Sequence, residues 1–273
     1  MLTWEQILES VVQGYDDARR YAKSTFEEKD INKLKTEIQT INSVLKDVAR
    51  NKVLGQFFEQ NVLSQETVDE LGRKSGGSIL IDDFDPDRLR PANYDLRLGD
   101  EVYVTAEKLP KKLNETEDTI AIQPGEFGIL TTYEYIHVPL NYLGLISLRF
   151  NYKKQGLVNV SGFHVDPGFT GKIIFSVFNT GPRSVALRYK EPVFMIMFEE
   201  LSKPLKTGYS GGFSEQKHIP VDIITSLGGQ SVSVISLDRR LRKLETNLGI
   251  LEAILVGLII AGASYLASKL IFH

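Results

Sequence analysis

The chain has 273 residues, 42% hydrophobic and 25% charged, enough for one sizeable packed domain with accessory segments. A formal net charge of -3 and a pI near 5.9 exclude a global basic footprint for nucleic acid, so any anion site must be local. The absence of cysteine excludes disulfides, a thiol nucleophile and thiolate metal sites, and the 4 histidines are too scattered for metal-ligand spacing.

The first residues, MLTWEQILES, are too acidic and too interrupted for a secretory signal peptide. Residues 1–75 read as a helical, oligomerisation region. In INKLKTEIQTINSVLKDV the apolar residues Ile31, Leu34, Ile38, Ile41, Leu45 and Val48 recur by three and four. That stripe suits a helix packed on the body or a short intersubunit coiled coil. The glycines of RKSGGS mark a boundary.

Residues 76–220 change texture to short runs rich in Val, Ile, Phe and Tyr, such as DLRLGDEVYV, FGILTTYEYIHV and EPVFMIMFEEL, punctuated by Pro-Gly and Thr-Gly-Pro. Such spacing predicts a mainly β domain, a barrel or jelly roll. Residues 221–273 predict an amphipathic stalk leading into a single transmembrane helix at about 248–272. AILVGLIIAGASYLAS carries no charge, and Glu252 and Lys269 bracket it where charges reach the interface. RRLRK precedes the span, so the positive-inside rule predicts a single-pass inner-membrane protein with a cytoplasmic N-terminal body. Gly257/Ala261, Ala263/Ala267 and Ser264/Ser268 are small-xxx-small pairs that let helices approach closely in a lipid bilayer. Val234, Leu237, Leu241, Leu244, Leu248 and Leu251 carry an a/d stripe into the span, which together with these pairs predicts a homo-oligomeric stalk and membrane bundle.

In the middle of the chain, PANYDLRLGDEVYV, QPGEFGILTTYEYIHVPLNYLG, VDPGFTGKIIFSVFNTG and YSGGFSEQK follow one another in an order and spacing that resembles the dCTP deaminase and dUTPase superfamily. The resemblance covers about half the chain. It implies a trimeric dUTPase-like β-barrel that binds deoxynucleoside triphosphates at subunit interfaces, with the last segment as an arm closing over the nucleotide. Phe169 of the Asp-Pro-Gly-aromatic signature and Tyr209, Gln216 and Lys217 of the arm become nucleotide contacts on that basis. Independently, a triphosphate needs clustered cations and hydroxyl or backbone donors, with Mg2+ shared among phosphate oxygens when one is bound. SLRFNYKKQG supplies Ser147, Arg149, Asn151, Lys153 and Lys154 in one short segment of an acidic protein. No dedicated metal site is expected.

Departures from the family pattern bear on chemistry. Phe150 and Asn151 stand where the resemblance expects two phosphate-binding serines, although Arg149 matches and Lys154 keeps a cation at the second arginine position. The segment from Gly156 to Asp166 is one residue shorter than in the deaminases, and Lys190 and Met195 stand where the family prefers Gly and Gln. Ser176 occupies the position of the glutamate that the family uses as general acid/base, and a hydroxyl cannot carry a carboxylate's proton transfers near neutral pH. Asp166 matches the aspartate that resembles the water-activating group of dUTPases, yet an Asp before Pro-Gly also forms turns by capping backbone amides. The reading preferred from sequence is a membrane-anchored nucleotide or oligonucleotide sensor on a catalytically degenerate trimer, with the layout of an antiphage membrane effector. The alternative is an active membrane-tethered dCTP deaminase or dUTP diphosphatase, in which Asp166 would be catalytic.

Overall fold

The computed structural model describes residues 1–21, 65, 68–69, 72, 77–107, 109–227 and 234–271; the stripe from Ile31 to Val48 lies outside them. Helix α1, Trp4–Tyr21, is amphipathic: Ile7, Leu8, Val11, Val12 and Tyr15 recur at helical spacing and all are buried in the main core. The Leu2 amide donates to the Phe198 carbonyl at 2.7 Å and the Tyr15 hydroxyl to the Ile81 carbonyl at 2.9 Å, so this helix is tied to the β domain just before its start and again at Tyr15.

The strands of the first half are β1 (Leu80–Ile81), β2 (Leu89–Arg90), β3 (Asn93–Val104), β4 (Lys111–Lys112), β5 (Thr119–Ile122), β6 (Phe127–Thr132) and β7 (Ile136–His137). Those of the second half are β8 (Tyr142–Leu148), β9 (Leu157–Asn159), β10 (His164–Val165), β11 (Thr170–Gly171), β12 (Ile174–Asn179), β13 (Val185–Arg188) and β14 (Pro192–Glu200). The largest sheet runs β10-β8-β14-β3-β6-β12-β9, and smaller sheets run β1-β7-β11 and β13-β5. Neighbouring strands of the large sheet pair antiparallel. The fold is mainly β, as the strand spacing predicts.

The large sheet curls on itself. Strands β12 and β14 are three places apart in it, about 14 Å in a flat sheet, yet Phe175 and Phe194 stack with ring centroids 4.0 Å apart and are fully buried. Alternation along β12 buries Phe175, Val177 and Asn179 and leaves Ile174, Ser176 and Phe178 half-buried on the opposite face. Lys190, where the resemblance expects Gly, has a left-handed φ of 60°, the conformation that explains a glycine preference there. Its ammonium pairs with Glu115 at 2.7 Å and lies over the Tyr133 and Tyr189 rings, contacts that oppose the backbone strain.

Helix α2, Phe150–Lys153, follows β8. Helix α3, Val221–Leu227, packs Ile223, Ile224 and Leu227 against Tyr103, Ile129, Phe127 and Ile174 of the β domain. The structure divides into two compact units, Met1–Gly229 and Gln230–His273, with α3 in the first. The second holds helix α4, Val234–Ile271, within which Arg240–Leu266 is long and apolar enough to cross a membrane, with a mean hydropathy of 2.0. Gly257, Ala261, Ala263 and Ser264 are exposed on α4, and Ala267 and Ser268 belong to the same helix.

Asp82 gives the fold a pH dependence. Its carboxylate accepts the Tyr135 amide, and burial, reinforced by Asp83 and Glu134, pushes its pKa up to about 7. A raised carboxyl pKa means that the folded state holds the proton longer, so this group's contribution is fully present below about pH 4 and is lost as pH rises to about 7. Buried His137, lowered to about 4, acts in the opposite direction between about pH 6.5 and 4 and cancels in a comparison of variants. Asp82→Asn keeps the acceptor and removes the ionisation. Its unfolding free energy relative to wild type is expected to rise with pH across this window, by up to about 1.4 kcal/mol per pH unit, and level off above it. Denaturant unfolding at several pH values checks this; a pH-independent difference would refute it.

Candidate functional site

The site grows from the segment that joins β9 to β12. Val160 and Ser161 amides both donate to the Ser176 carbonyl, at 2.8 and 3.3 Å, and the Asn159 side chain bonds the Ser161 hydroxyl at 2.6 Å and the Gly162 carbonyl at 3.1 Å. These bonds set the loop between β9 and β10. The Asp-Pro-Gly turn is then closed by the Phe169 amide donating to the Asp166 carbonyl at 3.1 Å, so the turn is held by backbone and leaves the Asp166 carboxylate available. Among the described residues that carboxylate caps no backbone amide; its Oδ1 lies 3.4 Å from His164 Nε2.

Gly168 and Gly171 have φ values of 84° and 145°, and the arm lies on both. A Cβ on Gly168 would sit 2.6 Å from the Gly208 Cα, and one on Gly171 3.0 Å from the Gln216 amide nitrogen. The Tyr209 amide donates to the Pro167 carbonyl at 2.8 Å, Glu215 to Thr170 at 2.7 Å, and Lys172 to the Gln216 carbonyl at 2.8 Å, the last two flanking a parallel bridge between Gly171 and Gln216.

Between these pieces is a cavity of about 290 Å³. The loop before the turn contributes Ser161, His164 and Asp166, and the strands contribute Ile146, Lys172, Ile174 and Ser176. Phe169, Tyr209, Phe213 and Gln216 wall it on the arm side, and Ile223 of α3 completes it. Phe169 and Tyr209 face each other at 5.8 Å between centroids, and the buried Gln216 Oε1 lacks a hydrogen-bond partner among the described residues. Lys172 brings a cation to the wall, its ammonium held 2.8 Å from Asp100 Oδ1. The lining therefore suits a flat, partly apolar group with a polar edge: aromatic faces for its plane, an amide acceptor and hydroxyls for its edge. Asp166 is the one carboxylate among the described lining residues, so it is the residue able to meet a magnesium ion carried in on phosphate oxygens. No group of three or more His, Asp and Glu residues that could hold a metal ion occurs among the described residues.

Of the residues expected from sequence, Asp166, Phe169, Tyr209 and Gln216 come together here, with Ser176 in the wall. Ser147, Arg149, Asn151, Lys153, Lys154 and Lys217 do not line this cavity. Ser147 follows Ile146 in β8 and so points to the opposite face. Arg149 lies 3.5 Å from Asp95, a buried carboxylate that also holds Arg90 at 2.8 Å. Asn151, Lys153 and Lys154 are exposed on and just after α2, and Lys217 lies 4.0 Å from Asp69 and over the Tyr135 ring. His164, Lys172, Phe213 and Ile223 are site residues that the sequence reading missed. The first was accessible from spacing: His164 and Asp166 are two apart in extended chain and share a face.

A larger cavity, about 620 Å³, runs along α1, but its charged lining is Glu5, Glu9 and Glu200, which disfavours an anionic ligand.

Residues 62–201 match the dCTP deaminase-like family. The chain is 35% identical over 143 residues to a dCTP deaminase of Thermococcus kodakarensis, covering 52% of this chain and 88% of that one. It is 30% identical to a dUMP-forming dCTP deaminase of Methanobrevibacter smithii over 54% of this chain and 84% of the relative. Among solved structures, the 2'-deoxycytidine 5'-triphosphate deaminase of Agrobacterium tumefaciens matches with a TM-score of 0.38 at 17% identity, over 51% of this chain and 48% of that one.

Because the arm rests on bare backbone, Gly168→Ala is expected to undock it: the side chain adds about 1–2 kcal/mol of left-handed strain and a clash with Gly208. Limited proteolysis should then cut within residues 205–216 faster than in wild type. Unchanged cleavage would show that the arm does not depend on this contact.

Proposed function

The chain belongs to the dCTP deaminase-like family, and from that premise we propose that it is a membrane-anchored sensor of pyrimidine deoxynucleotides or short oligonucleotides that binds without deaminating. The observation that carries the reading is Ser176 in the cavity wall, at the position where the resemblance places the acid/base glutamate. Deamination by water needs a group that takes a proton from water and returns one to the departing amine; a serine hydroxyl, pKa far above neutrality, does neither. The groups that hold a ligand remain: the Phe169 and Tyr209 rings for the base plane, Gln216 Oε1 for an amino or imino donor, and Lys172 for negative charge. Arg149, Lys153 and Lys154 lie outside their own chain's cavity, and we assign them to the phosphates of a ligand held by an adjacent copy in a homo-oligomer. The apolar helix 240–266 then gives the sensor its membrane anchor, and release of a membrane signal on ligand binding, as in an antiphage effector, is the output this layout serves. Occupancy shifts that output only in so far as the ligand's affinity differs between the two states.

A second reading is favoured by one observation. Asp166 Oδ1 lies 3.4 Å from His164 Nε2 in the cavity, an arrangement able to take a proton from water as its oxygen attacks the α-phosphorus of dUTP and the α–β anhydride bond breaks, with pyrophosphate leaving, which would make the chain a dUTP diphosphatase.

Incubation of the purified full chain with dCTP or dUTP and magnesium separates the two. The sensor reading expects saturable binding by calorimetry with no dUTP, dUMP or pyrophosphate formed. Turnover that is abolished in Asp166→Asn would replace it with the hydrolase. For the output, membrane depolarisation is expected in cells expressing the full chain and not in cells expressing a chain truncated before Leu248; unchanged potential under every nucleotide condition would remove the effector role.

A further inference from the structure

Helix α3 lies beyond residue 201, where the family match ends, yet it supplies part of the cavity wall through Ile223. The same side chain belongs to the apolar cluster of Ile223, Ile224 and Leu227 on Tyr103, Ile129 and Ile174 that holds α3 on the barrel. Ile174 lines the cavity too and packs against the same cluster of Tyr103, Ile129 and Ile219. Ile223 therefore faces a ligand in the cavity and takes part in the packing that holds α3.

The docking is weak by construction. Seven residues cannot sustain a helix alone, and none of those in α3 is fully buried. The chain just before α3 is fixed: Ile219 is 4% exposed, its amide donates to Glu101 Oε2 at 2.7 Å, and His218 lies 3.5 Å from the same carboxylate. Residues 228–233 come after α3 in the chain, and then α4. An element anchored at its start and held afterwards by three half-buried side chains has a docking free energy small enough for one ligand contact to shift.

We propose that α3 is a ligand-sensing wall: a nucleotide filling the cavity gains contact with Ile223 and tightens α3 on the barrel, and loosening α3 weakens the nucleotide. The proposal rests on the nucleotide-binding reading and adds to it the element through which occupancy leaves the barrel. Linkage makes the two effects reciprocal, with coupling of this kind worth about 5–150-fold in affinity.

The test uses the full chain in detergent, following amide hydrogen exchange of residues 219–227 with and without dUTP or dCTP, and affinity by calorimetry. Saturating nucleotide is expected to slow exchange there by at least about fivefold. Leu227→Asp, which breaks the cluster without lining the cavity, is expected to weaken nucleotide binding by a similar factor while leaving its stoichiometry unchanged. A merely structural α3 would move neither reading. Ser176→Trp fills the cavity with a ring and should slow exchange of 219–227 with no nucleotide present. Nucleotide that binds with no change at 219–227 overturns the α3 proposal and leaves the nucleotide reading standing. No nucleotide binding, with slowed exchange in Ser176→Trp, overturns the nucleotide reading and keeps α3 as the sensing wall. Unchanged exchange in both arms overturns the α3 proposal outright.

Discussion

The site depends on a backbone-to-backbone contact that side chains would forbid. At Gly168 and Gly171 the arm comes so close that a single Cβ would reach Gly208 or Gln216, and both glycines also hold left-handed φ values that other residues adopt only at a cost. Because the contact is made, the Gln216 and Glu215 backbone groups are satisfied on the turn rather than by solvent, and the Tyr209, Phe213 and Gln216 side chains close a cavity that the barrel alone would leave as an open trough. Phe169 lies between the two glycines and presents its ring to Tyr209 across the same contact. One short motif thus does three things together: it turns the chain, seats the arm and supplies an aromatic face.

Charge is arranged to keep that cavity moderate. Lys172 reaches it with its ammonium already held by Asp100, and the Asp100 carboxyl, pushed up by burial, is brought below its ordinary value by the lysine. Arg149 shares Asp95 with Arg90. Neither cation is unopposed, so a bound anion must compete with an internal carboxylate for each. The free energy left for net anion attraction in one copy is correspondingly small, which is the reason for proposing that an adjacent copy adds its exposed Lys153 and Lys154.

Much of this is legible in the sequence, and the gaps have physical causes. The strand texture and the Pro-Gly turns lead to the β domain, and Asp166, Phe169, Tyr209 and Gln216 stand out through the resemblance of VDPGFTGKIIFSVFNTG and YSGGFSEQK to the dCTP deaminase and dUTPase superfamily. Ser147 reads as part of a cationic loop, but β8 continues through it, and strand alternation puts it on the face opposite Ile146. The claim of Asp95 on Arg149 joins β3 to the residue between β8 and α2, distant in sequence, and no local pattern records such a pairing. Ile223 is hidden for a different reason. Ile223, Ile224 and Leu227 have the spacing of any amphipathic helix, and periodicity says that an apolar face exists without saying what covers it.

That last ambiguity is also where the molecule departs furthest from an isolated enzyme domain. A hydrolase or deaminase needs its cavity closed during chemistry and open for release, and any segment that manages this can end there. Here the closing segment continues: the arm runs through Ile219, pinned on Glu101, into α3, and the chain then leads to a helix long and apolar enough to cross a membrane. Under the proposed sensor reading, with Ser176 at the position where the resemblance places the acid/base glutamate, occupancy and not turnover is the quantity of use. Binding energy that an enzyme would direct to a transition state is then free to favour one arrangement of the closing segment over another, and only that difference can be passed on.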